Sequence, residues 1–76
     1  MTASDQFSAE QRLLGAILLD NEVLVVVRTM VRPDDFVRDA HQHIFALMLE
    51  LRRRFREINL ETVTNGLRAR TWPLRP

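Results

Sequence analysis

"EVLVVVRTMV", Glu22 to Val31, is the stretch on which the fold class turns. Four valines in five positions, with Leu24 among them, suit a strand. The same residues also suit a helix, because Val23, Val26, Val27 and Met30 stand at i, i+3, i+4 and i+7. A strand needs a pairing partner, and no other part of the chain offers one. The helical reading therefore prevails, and with it an all-α fold.

Working back from Glu22, Asp20-Asn21 stops the preceding helix and can cap the next. That preceding helix reads from Ser8, where "SAEQ" has the form of a capping box. Leu13, Leu14, Ile17 and Leu18 give it one apolar face. Working forward, Pro33 in "RPDDF" pushes Arg32 out of helical backbone, and Asp34 or Asp35 suits a short turn.

The longest helix runs from about Asp39 to Phe55, "DAHQHIFALMLELRRRF". Ile44, Leu47, Met48, Leu51 and Phe55 form its core stripe, and Phe45 and Leu49 widen the apolar arc on one flank. Asn59 is a candidate cap for a fourth helix whose inner face carries Leu60, Val63 and Leu67, with Gly66 a weak point inside it. The expected organisation is a disordered segment 1–7, a helical domain 8–70 and a tail 71–76, with about four helices in a small orthogonal bundle.

Composition narrows the function. The 76 residues make one domain, and a core of this size seldom supplies more than roughly 3–5 kcal/mol of net stability, so association is a plausible additional support. With no cysteine, disulfides and thiolate metal sites are excluded. No run approaches a membrane span, and the acid-bearing N-terminus lacks the basic region of a signal peptide, so a cytoplasmic protein is expected. The net charge of +1 argues only weakly for nucleic acid. Every basic residue is arginine, the better residue for interface ion pairs.

The motifs that could carry chemistry do not assemble. His41 and His43, two apart on a helix, point about 200° from each other, so one ion cannot take both imidazoles. His41 falls at the edge of the apolar face and His43 on the polar one. Arg52, Arg53, Arg54 and Arg56 spread around the helix near its C-terminus, where cations oppose the macrodipole. A duplex-reading surface needs one basic stripe. Asp34-Asp35 reads as a capping pair before a catalytic one, Met30 and Met48 as packing residues. A P-loop requires a glycine-rich turn and a lysine, and the chain has two glycines and no lysine. No catalytic residue, cofactor or metal is expected.

Taken together, "AEQRLLGAILLDNEVL" (Ala9 to Leu24), "DDF" (Asp34 to Phe36), "HQHIF" (His41 to Phe45) and "INLETV" (Ile58 to Val63), with the leucine that opens "LRAR", carry a resemblance. In order and spacing the chain resembles the N-terminal domain of bacterial and phage replicative DNA helicases of the DnaB family. The resemblance implies a non-catalytic all-helical head that packs against copies of itself in a collar on a hexameric ring. It also implies a docking surface for primase or a helicase loader, with ATP hydrolysis and DNA contact belonging to a separate domain. Family heads continue into further helix and a helical hairpin, whereas this sequence ends on "TWPLRP". Either a helicase fragment or a freestanding small protein fits.

The residues expected to meet another chain are Phe45 and Leu49, with Arg52, Arg53 and Arg56 beside them. Burial of the Phe45/Leu49 stripe under the first or fourth helix is the competing reading. Two further functions stand as alternatives: a small DNA-binding protein using Arg52 to Arg56, and a stand-alone regulator that competes for a helicase's partners.

Overall fold

The valine-rich stretch is helical. In a computed structural model, which describes residues 3–69, α1 spans Ala3–Leu19, α2 Glu22–Val27, α3 Asp39–Arg53 and α4 Leu60–Ala69, with a 3-10 turn at Pro33–Asp35. There is no strand among the described residues. The expected tail, 71–76, lies outside them.

α2 buries a different line of residues from the one its periodicity suggested. Leu24 is fully buried and Val27 nearly so, with Val23 and Val31 packed against the core. Val26 and Met30 face outward, at 60% and 68% exposure. The helix ends at Val27 and gives way to a turn, so Met30 never reaches the i+7 position of a continuing face. The seam that forms is Leu24, Val27 and Val31.

α1 begins at Ala3 rather than Ser8, so residues 3–7 are helical where the sequence suggested disorder. Nothing in that segment breaks a helix. Asp5 lies in the first turn, where an acid complements the macrodipole, and the Gln6 amide donates to Glu10 Oε2 at 3.1 Å. Ser8 thus sits exposed inside the helix rather than at its cap.

The chain stops and restarts as its punctuation dictates. Arg32 before Pro33 is extended, at φ −114 and ψ 158, and the Asp35 carboxylate accepts the Arg32 N–H at 2.8 Å. Asn59 caps α4 reciprocally. Its Oδ1 accepts the Thr62 N–H at 2.9 Å, while Thr62 Oγ1 accepts the Asn59 N–H at 3.0 Å. At the start of α2 it is Asp20 that accepts the Glu22 N–H, at 3.1 Å. The Asn21 side chain makes no cap and reaches across the fold instead.

α3 is central, packing against α1, α4 and the 3-10 turn. Leu47, Met48 and Leu51 are buried as expected, and Ile44 is half-buried against them. Leu14 and Ile17 of α1, Ile58 of the loop before α4 and Val63 of α4 join the same core. Leu60, expected inside, is 73% exposed because it opens α4 directly beside its cap. Gly66 is a point of close approach: an added Cβ would lie 2.7 Å from Leu47 Cδ2, and Leu47 is itself buried.

Candidate functional site

Two constellations stand out from the packing. The first is a buried pair on the inner seams of α1 and α3. Glu10, Leu14 and Ile17 are spaced i, i+4, i+7, as are His41, Phe45 and Met48, so an acid and a histidine enter the core from facing helices. His41 Nδ1 lies 2.6 Å from Glu10 Oε1, and both residues are buried. Glu10 Oε2 accepts the Val37 N–H at 2.6 Å as well as the Gln6 amide. His41 stacks on Phe7 at 5.4 Å and meets the edge of Phe36 at 6.4 Å. The Arg38 guanidinium lies over the Phe7 ring, 4.5 Å from its centroid. His41, expected at an edge, is thus a core residue, while His43 Nδ1 lies 2.8 Å from the Asp39 carbonyl of its own helix.

Both oxygens of Glu10 are taken by partners, which makes the pair a brace between α1, the loop before α3, and α3. Burial pushes the Glu10 carboxyl up, but hydrogen bonds from the Val37 N–H, His41, Gln6 and the Arg38 backbone outweigh it and hold the pKa at about 2, against 4.5 ordinarily. The unfolded chain therefore takes up this proton first. The stability Glu10 contributes is full above about pH 4.5 and lost as the pH falls towards 2. A melting series is expected to drop through that window, with a shallower drop in Glu10→Gln. Parallel profiles for the two proteins would contradict this.

The second constellation is the end of α3. The helix closes in a Schellman turn, with the Arg56 N–H on the Leu51 carbonyl at 2.9 Å and the Phe55 N–H on Arg52 at 3.0 Å. Such a turn places its C′ residue in left-handed backbone, and Phe55 has φ 60. Its ring, expected in the core stripe, is 96% exposed because the helix has already ended at Arg53.

The predicted contact residues divide three ways around this turn. Phe45 is fully buried and packs on Phe36 with ring centroids 5.0 Å apart, so its ring belongs to the core and not to an exposed contact surface. Leu49, Arg52 and Arg53 line one depression of about 520 Å³ together with Arg28 and Phe55. Arg56 faces a separate groove of about 570 Å³ between α3 and α4, with Arg54, Glu50 and Glu61. Arg52 approaches Glu22 at 3.3 Å and Arg54 pairs with Glu50 at 2.9 Å. The arginines thus point to two sides with acids among them and do not form one stripe.

Arg28 and Phe55 were missed as members of this surface, and Glu10 as a buried acid. The signal for Glu10 was present, since it shares the seam spacing of Leu14 and Ile17. Among the described residues, no group of three or more His, Cys, Asp or Glu could hold a metal ion, and no helix is long and apolar enough to cross a membrane.

Fold and site together define a small all-helical domain whose buried polar groups brace the packing and whose cationic, apolar α3 end is exposed. Residues 2–72 match the family described as DnaB-like helicase N terminal domain, and the chain belongs to it. It is 46% identical over 61 residues to the replicative DNA helicase DnaB of Geobacillus stearothermophilus, covering 80% of this chain and 13% of that protein. It is 44% identical over 59 residues to the replicative DNA helicase DnaC of Bacillus subtilis (strain 168), covering 78% of this chain and 13% of that protein. The chain therefore spans a small fraction of the length of these relatives.

Proposed function

We propose that this domain is a non-catalytic interaction module of a cytoplasmic replicative DNA helicase, serving self-association and the docking of primase or a helicase loader. Membership of the helicase N-terminal family over residues 2–72 carries the reading. The surface of Leu49, Arg52 and Arg53, widened by Arg28 and Phe55, supports it as the docking face; aromatic and arginine side chains together are the composition of interface hot spots. Arg56 would serve only a partner that also enters the α3/α4 groove. DNA contact and ATP hydrolysis would belong to the parent helicase.

The test is light scattering across a concentration series, with titration of the cognate primase's C-terminal domain into the 76-residue chain. The expected result is reversible association or saturable primase binding. A strict monomer at high concentration that also leaves primase unbound would overturn the reading.

A further inference from the structure

Phe55 occupies a backbone position where glycine is the usual residue, because a side chain in left-handed backbone crowds the preceding carbonyl. At 96% exposure the ring gains nothing from the fold in return. A strained residue that does not help the fold points to a use outside it.

Its surroundings say what that use is. Arg28, Arg52 and Arg53 share the depression with Phe55 and Leu49. None of the ion pairs among the described residues engages Arg28 or Arg53, and Arg52 has only an exposed 3.3 Å contact with Glu22. Two copies laid face to face about a twofold axis would set these arginines against one another. Single-stranded nucleic acid is held on successive aromatic platforms, and Phe55 is the one exposed aromatic among the described residues. No strand edge is present among them to accept an extended peptide.

We propose that the surface framed by Arg28, Leu49, Arg52, Arg53 and Phe55 binds an acidic amphipathic helix of a partner protein. Phe55 and Leu49 meet its apolar stripe and the arginines pair with its carboxylates. This rests on reading the domain as a docking module and specifies the chemistry of what docks.

The test is fluorescence anisotropy of the 76-residue chain with a labelled synthetic helix of glutamates bearing a leucine stripe. Three further probes run beside it: the same composition with the leucines scattered, a lysine-for-glutamate version, and oligothymidylate. The variants are Phe55→Gly, Arg52→Glu with Arg53→Glu, and Leu60→Ala as an exposed control outside the depression. The striped acidic helix is expected to bind, and the three other probes at least about tenfold more weakly, given the 1.4 kcal/mol that a tenfold change represents. Phe55→Gly and the charge reversal should each weaken binding by a similar factor, with Leu60→Ala unchanged. Phe55→Gly should at the same time melt roughly 3–6 °C higher, since it removes the left-handed strain.

Failure of the striped helix to bind, unchanged binding in Phe55→Gly, or preferential binding of oligothymidylate would overturn the proposal. So would a lower melting temperature in Phe55→Gly, which would give the ring a structural role. The primase titration is scored separately: primase binding without peptide binding removes this inference and leaves the docking function standing.

Discussion

Glu10→Ala is expected to leave most of the chain unfolded at room temperature, or to remove its cooperative melting transition. The substitution strips the acceptor from the His41 ring and from the Val37 N–H, both now held at 2.6 Å. Leaving the His41 ring and the Val37 N–H without their acceptor costs about 1–3 kcal/mol each, so about 2–6 kcal/mol together. That matches the roughly 3–5 kcal/mol a domain of this size holds in total. The damage should spread from one pair because Glu10 ties α1 to the loop and the helix that follow it. Glu10→Gln keeps the volume and one acceptor oxygen, so it should lose about 1–2 kcal/mol and still melt cooperatively. Far-ultraviolet circular dichroism against temperature reads both. A Glu10→Ala melt within about 3 °C of the parent would show that the brace is dispensable, since each kcal/mol moves a small domain by about 4–8 °C.

Asn21→Ala should be the next most damaging change. The Asn21 amide donates at 2.8 Å to the carbonyls of Ile17 and Ile58, and its oxygen accepts the Ile58 N–H at 2.9 Å. One side chain therefore fastens the end of α1 to the loop between α3 and α4, where Ile58 is 1% exposed. Losing these three bonds should cost about 2–4 kcal/mol. Asn21→Asp tests the chemistry more sharply. It keeps the shape but puts an oxygen where the amide faces two carbonyls, so at neutral pH it should be as unstable as Asn21→Ala. Repulsion raises the pKa of the introduced carboxyl in the folded state, so its penalty eases as the pH falls through the range where that carboxyl takes a proton. Relative to the parent at each pH, the gap should narrow towards pH 5. A pH-independent gap would mean that the lost bonds, and not the repulsion, set the cost.

How far the sequence could be read depends on the range of the interaction concerned. Local signals were legible. Pro33 set Arg32 extended, Asn59 capped α4, and the valine stretch was a helix because no partner strand existed. Errors arose where a helix ended sooner than its pattern. Met30 and Phe55 continue the spacing of α2 and α3, yet both lie past the last helical turn and face water. Periodicity assigns faces but does not announce its own end, and a Schellman turn with phenylalanine in place of glycine carries no breaker to see. Phe45, assigned to the flank, is core because Phe36, from the segment before α3, packs on its ring. Least legible were the contacts that join distant residues: Glu10 to His41, 31 positions apart, and Asn21 to Ile58, 37 apart. Each residue has an ordinary local reading, as a helix acid or a cap, and only the tertiary fold gives it a partner. The proposed docking face was half visible for the same reason. Leu49, Arg52 and Arg53 lie within five positions, but Arg28 joins them from another helix end.

The most direct measurement is amide chemical-shift mapping of the labelled 76-residue chain during titration with the cognate primase's C-terminal domain. Saturable shifts are expected at Arg28 and along Leu49 to Phe55, with the buried brace of Glu10 and His41 unmoved. Shifts absent at saturating primase, or confined to surfaces that exclude the end of α3, would contradict the proposed docking face.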